Sequence, residues 1–289
     1  MSRTIELRLL VLLICIAAAA ATVAEPLEYS VAYRGVFSMG RDMPIADVSL
    51  RVSEPDSGRE FREFTLEASS AAYPVVESLY PLRYRYRTWA NARDGNVLAF
   101  ETYEKTGKLR HRLYLRDITG PGFSRHDPNG DEGAQAVERL KAGELPRRIS
   151  VDALDESTLS DLVLDRLGLL HYVRDKTLRE GAEFLLPVSN GRDRLRYRVR
   201  VEAAQSLLLH DLRLPAWKLR FDGFEIAADG TERPAHRALF VWLSRDPDHL
   251  PLRVDSRHAI GLFRVELKDP AIHAQLAQSH ALQSSTRRR

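Results

Sequence analysis

Cysteine is almost missing from this sequence. The single one among 289 residues, Cys15, lies inside the apolar run Leu9 to Ala21, so disulfide scaffolds, Cys-based zinc sites and a Cys nucleophile in the processed chain are excluded. Charge of one sign is also scarce. The formal net charge is +3, and Arg287, Arg288 and Arg289 alone account for that surplus. The body is therefore near neutral and lacks the basic footprint of a nucleic-acid binder. Gly (16) and Pro (14) are at ordinary levels, which excludes collagen-like and low-complexity chains. Catalytic signatures are missing too: there is no G-x-S-x-G, H-E-x-x-H, P-loop or G-x-G-x-x-G, and the nine His are scattered singly.

What is present begins with an export signal. Arg3 and Arg8 precede the apolar run, and Thr22-Val23-Ala24 puts small residues before Glu25. This pattern predicts a signal peptide over residues 1–24, a mature N-terminus at Glu25 and a periplasmic location. The run is shorter than the ~20 residues a spanning helix needs, so no stable transmembrane anchor is expected after processing. Cys15 is not placed for a lipobox.

Residues 25–269 read as a single mainly-β domain, and 270–289 as a C-terminal helix and basic tail. Runs of period 2 fall at 27–33, 46–52, 60–68, 79–90, 96–104, 108–116, 183–188, 193–203, 216–227, 236–244, 251–257 and 261–267. Asn190-Gly191 predicts a two-residue hairpin turn and Asp229-Gly230 a second turn. The order is meander-like without βαβ alternation, so the expected fold is a single curved antiparallel sheet, or an open barrel-like sheet, with one main helix packed on it. That helix is expected over 157–174, where Leu159, Leu162, Val163, Leu167, Leu170 and Val173 recur at helical spacing and Thr158 with Asp161 suggests a capping box. Gly168 inside it points to a close backbone approach. Shorter helices are expected at 133–142 and 271–282.

Two constellations carry chemistry. Asp127, Asn129, Asp131 and Glu138 imitate a calcium loop, but Glu132 stands where the sharp turn needs Gly and Pro128 stiffens the entry. A solvated loop is the reading, and no metal or other cofactor is expected. Arg192, Arg194, Arg196, Arg198 and Arg200 alternate with apolar residues, as do Arg83, Arg85 and Arg87. Period 2 puts each set on one face. Such a face suits phosphate or carboxylate, or else pairs with carboxylates such as Glu60, Glu101 or Glu104 across strands. Arg83, Arg85, Arg196 and Arg198 are the candidate anion-facing ligand residues, and no catalytic residue is assigned.

The segment from Asp165 to Arg174 with Gly181 and the strand 193–203, the stretch Phe240-Val241-Trp242-Leu243-Ser244-Arg245-Asp246 followed by Leu250 to Val254 and Ile260-Gly261, and the opening Leu27 to Gly35 together resemble the bacterial envelope family called domain of unknown function 3108, over about 27–267. The sequence departs where that family has Asp-Pro followed by Ser: Arg166 stands for the Pro and Gly168 for the Ser. The resemblance implies an exported, mostly β protein of Gram-negative bacteria with no established activity, similar in look to the curved-sheet lipoprotein-localisation carriers that cradle acyl chains. Trp242, Pro251 and Gly261 read as core, turn and close-approach residues. The leading expectation is a non-enzymatic binder of an amphiphile (lipid or lipopolysaccharide) or of an envelope protein. The alternative is an envelope hydrolase with an unrecognised carboxylate or His site.

Overall fold

A computed structural model describes residues 26–53, 61–117, 122–146, 162–227 and 229–269. The expected signal peptide, the expected Thr158–Asp161 cap and the expected C-terminal helix and tail lie outside these residues. Fourteen strands form one antiparallel sheet: β1 Leu27–Gly35, β2 Met43–Ser53, β3 Phe61–Ser69, β4 Arg83–Asn91, β5 Val97–Thr106, β6 Lys108–Arg116, β7 Phe123–His126, β8 Glu183–Ser189, β9 Arg194–Leu209, β10 Leu212–Ile226, β11 Glu232–Pro234, β12 Leu239–Ser244, β13 Pro251–His258 and β14 Gly261–Leu267. The order is β7-β6-β5-β4-β3-β2-β1-β14-β13-β12-β10-β9-β8, with β11 paired to β10. The sheet curls into a nearly closed barrel with one seam, between the β7 and β8 ends. The mainly-β, barrel-like expectation is therefore met.

Period 2 explains which side of each strand is buried. In β4, Tyr84, Tyr86 and Thr88 face the interior while Arg83, Arg85 and Arg87 face out. In β9, Leu195, Tyr197, Val199 and Val201 face in and the arginines out. The interior is filled by a helix, α3 (Arg166–Arg174), following α1 (Pro74–Leu79) and α2 (Asp131–Lys141) in the chain. Leu167, Leu169, Leu170 and Val173 of α3 are fully buried, and Gly168 and His171 are buried beside them. A helix buried on all sides packs as core, not as a surface layer. A second, smaller core lies outside the barrel, where α2 covers Trp89, Leu98, Leu113 and Leu115 with Ala136, Val137 and Leu140.

The helix expected from 157 starts at 166. Asp165 is its N-cap and accepts from the Gly168 amide, while Val163 and Leu164 are extended. Their amides and carbonyls are all used in the seam. Val163 receives a bond from the Val97 amide and donates to Asn96 Oδ1. Leu164 donates to the Pro187 carbonyl and accepts from the Ser189 amide, as a parallel bridge to Val188. This two-residue segment thus joins the start of β5 to the end of β8. Two further differences concern turns and strand ends. Asn190-Gly191 sits in a four-residue connection, 190–193, because Ser189 pairs with Arg194. Residue 79 ends α1, and β4 begins only at Arg83. At Asp127–Glu138, α2 starts at Asp131, so the second half of the calcium-loop lookalike is helical.

Gly168 makes the close approach foreseen for it. A Cβ there would sit 2.6 Å from Val97 Cγ2 and 2.8 Å from Asp165 Oδ1. Gly168→Ala should therefore lower the melting temperature despite the better helix propensity of Ala. Leu167→Ala should cost about 2–5 kcal/mol as a core truncation. Urea unfolding measures both; a stabilised Gly168→Ala protein would contradict the packing described.

Candidate functional site

The inward face of β4 to β7 is apolar where it meets α3 and becomes polar toward the β5–β6 turn. The register produces this gradient. Thr88 lies beside Phe100, Tyr114 and Arg125; Tyr86 beside Thr102 and Arg112; Tyr84 beside Glu104 and Arg110. The connection 190–193 and Arg166 close the opposite side, leaving a cleft of about 370 Å³ at the seam. Its floor is aromatic: Tyr86 stacks on Phe100 at 5.7 Å and Phe100 on Tyr114 at 4.6 Å between ring centroids. Gly191, at φ +82, lies against the Tyr114 ring, where a Cβ would come within 2.2 Å of Cε1. Only glycine satisfies both the left-handed backbone and that contact.

Five arginines line the cleft (Arg110, Arg112, Arg125, Arg166 and Arg192) against two carboxylates, Glu104 and Asp193. Arg110 is 3.4 Å from Glu104, and Arg192 is 3.9 Å from Asp193. Among the described residues Arg112 and Arg125 have no ion-pair partner. Guanidinium groups above an aromatic floor, half-buried at Arg110, Arg112 and Arg166 and exposed at Arg125 and Arg192, are a receptor for a planar or tetrahedral anion carrying an apolar body. Sequence reading missed Arg110, Arg112 and Arg125 because each looks like an ordinary strand position, and it placed Arg192 on the outward ladder although it sits in the 190–193 connection. The available signal was the inward set of 97–106 and 108–116 turning from Phe100 and Tyr114 to Thr102, Glu104, Arg110 and Arg112.

The four arginines singled out from the sequence lie on the outer face, on strands that do not pair with each other. Arg83 binds Glu77 at 2.8 Å; Arg85 is 3.7 Å from Glu101 and lies over the Tyr103 ring. Arg196 pairs with Glu232, and Arg198 is 3.2 Å from Glu183. Each ladder is thus laced to carboxylates. Glu101, foreseen as such a partner, is buried between Arg85, Arg87 and His111, whose Nε2 donates to it at 2.6 Å.

Among the groups whose acidity burial shifts strongly, Arg174 acts on both Tyr29 and His171, whereas Asp165 is coupled to none of the three. Burial raises the Asp165 carboxyl to about 6, partly offset by hydrogen bonds from Thr88, the Gly168 amide and Tyr86 and by the Arg166 charge. Burial lowers His171 to about 3, assisted by Arg174 and Arg62. Arg62 donates to His171 Nε2 at 3.1 Å, which fits a neutral ring. His171 lines a different cleft, of about 800 Å³, with Arg62, Trp217 and Arg245. Asp165 and His171 share no partner. No group of three or more His, Cys, Asp or Glu among the described residues could hold a metal, and no helix there is long and apolar enough to cross a membrane.

These two groups oppose each other in pH dependence. Asp165, raised from 3.8 to about 6, favours the folded state below pH 3.8, and that contribution is lost as pH rises toward 6. His171, lowered from 6.5 to about 3, favours it above pH 6.5 and loses this as pH falls toward 3. Asp165→Asn should therefore gain on wild type by on the order of 2 kcal/mol as pH rises from 4 to 7. His171→Gln should gain on wild type as pH falls over the same range. Melting curves of the three proteins check the signs, and either sign reversed contradicts the burial described.

Residues 150–268 match the model of the family described as a protein of unknown function, DUF3108. The resemblance drawn from the sequence is borne out over that stretch, which contains both the 165–203 and the 240–261 motifs. A comparison with curated proteins finds no match. Among solved structures, the chain is similar to a β-barrel-like protein of the domain of unknown function DUF1849 from Brucella abortus. The two are 9% identical with a TM-score of 0.46, over 84% of this chain and 94% of that one. A protein described as exported and of YmcC-like fold, from Bacteroides fragilis, is 9% identical with a TM-score of 0.28, over 87% of this chain and 98% of that one.

Proposed function

We propose that this chain, whose residues 150–268 belong to the DUF3108 family, is a non-enzymatic periplasmic protein that binds an anionic amphiphile in the seam cleft. The observation that carries the reading is the excess of arginine over carboxylate on a stacked aromatic floor, with Arg112 and Arg125 left without ion-pair partners among the described residues. Arg112 and Arg125 hold the anionic head, and Tyr86, Phe100 and Tyr114 take its apolar body. The volume is at the small end of ligand sites, so the cleft accepts a head and the adjoining part of a chain, with α3 occupying the barrel beyond it. The leader over residues 1–24 supports the periplasmic setting.

The experiment is calorimetric titration with lysophosphatidylglycerol and with zwitterionic lysophosphatidylcholine. Wild type should prefer the anionic lipid, and Arg112→Gln with Arg125→Gln together should weaken that binding by roughly 100-fold or more, since each hydrogen bond to a charged group is worth about 1.5–3 kcal/mol. A variant with Arg83, Arg85, Arg196 and Arg198 all changed to Gln separates the cleft from an outer anion-facing edge. Loss of binding in that variant alone assigns the site to the ladders. Equal binding of the two lipids by wild type overturns the reading.

A further inference from the structure

Successive antiparallel strands alternate in direction, so every second connection lies at the same end of the barrel. The β1–β2 connection (36–42), the β3–β4 connection (70–82) and the β5–β6 turn at Gly107 share one end. They also follow one another along the rim, because β1 through β6 are consecutive neighbours in the sheet. The Tyr80 side chain of the second connection is hydrogen-bonded to Thr106 beside the third.

Among the described residues, this rim carries most of the large apolar side chains left in water. Phe37 is 75% exposed, Met39 92%, Val75 68% and Leu79 80%, with Val36, Tyr80 and Leu109 alongside. Nothing in the local packing requires them there: Val36–Ser38 is a short 3₁₀ turn and α1 has no buried residue. Scattered single apolar residues need no explanation, but a cluster from three successive connections does.

The charge on the same rim has one sign. Its acids are already neutralised, Asp42 by Arg34 and Glu77 by Arg83. Arg41, Lys105 and Lys108 are exposed, and among the described residues they have no ion-pair partner. Apolar tips flanked by unpaired cations match the interface of an anionic bilayer, which takes up the tips at the headgroup level and attracts the cations.

We infer that this end of the barrel docks on the surface of an anionic lipid bilayer, inserting Phe37, Met39, Val75 and Leu79 and placing Arg41, Lys105 and Lys108 among the headgroups. The inference is independent of the seam-cleft reading and uses none of its residues.

Cys15 is the only cysteine, so in a Cys15→Ser background the full chain accepts one environment-sensitive fluorophore at Phe37→Cys, Leu79→Cys or Leu208→Cys. Leu208 is exposed at the opposite end of the barrel, near the β9–β10 turn. Phosphatidylglycerol-containing vesicles should blue-shift and brighten the probe at 37 and 79 but not at 208. Changing Arg41, Lys105 and Lys108 together to Gln should weaken that partition on the order of 100-fold, at about 1 kcal/mol per surface cation. No response at 37 and 79, an equal response at 208, or a response that follows protein concentration without lipid (a second copy covering the rim) overturns the inference. Because the probe reports position, failure here leaves the calorimetric result for the cleft unaffected.

Discussion

The barrel holds its shape through two residues that use every backbone hydrogen-bonding group they have. Val163 bonds to the β5 side through Val97 and Asn96, and Leu164 bonds to the β8 side through Pro187 and Ser189. Without them the ends of a fourteen-strand sheet would be open, with unpaired edges. The next residue, Asp165, turns the chain inward and caps α3. The same three-residue span therefore closes the wall and aims the helix that fills the space behind it. The cost is a carboxyl group taken out of water, visible in its raised pKa, and three hydrogen-bond donors offset part of that cost.

Closure also creates the cleft. The segment 163–164 stitches only the β5 side of the seam, where β6 has ended. On the β6 and β7 side the contact is the Gly191 backbone against the Tyr114 ring, and above it the walls separate. Inward positions that would be apolar in a sealed barrel can there carry Thr102, Arg110 and Arg112. The outer face follows a different rule. On β4 and β9, Arg83, Arg85, Arg87, Arg196, Arg198 and Arg200 are each matched by a carboxylate, which offsets the charge of these ladders.

Much of this was legible in the sequence. Period 2 located twelve of the strands, and the parity of 83–91 and 194–201 told which side chains share a face. The short β7 and β11 and the single-turn α1 carry too few residues for a pattern to show. The helix start was misread for a specific physical reason. Leu162 and Val163 stand at helical spacing from Leu167 and Leu170, but a long-range partner, Val188, holds Leu164 in an extended conformation. Local periodicity cannot register a partner 24 positions away. Asp165 followed three residues later by a glycine amide was the better cap signal than Thr158. The cleft was invisible for a related reason: it is assembled from four strands and a loop, and only the register brings Arg112 and Arg125 to one side. The family motif at 240–261 pointed to the β12–β14 wall, which builds the barrel, and the one at 165–203 touches the cleft only through Arg166 and the 190–193 connection.

Hydrogen exchange tests the central claim, that the 163–165 segment closes the barrel. The amides of Val97, Leu164 and Ser189 cross the seam, and Gly168 reports the cap. In the wild-type protein these four should be as protected as ladder amides of β1 to β3. In Asp165→Ala they should lose protection together, while β1 to β3 keep theirs. Seam amides that exchange at loop rates in the wild type, or that stay protected when Asp165 is removed, would contradict the account.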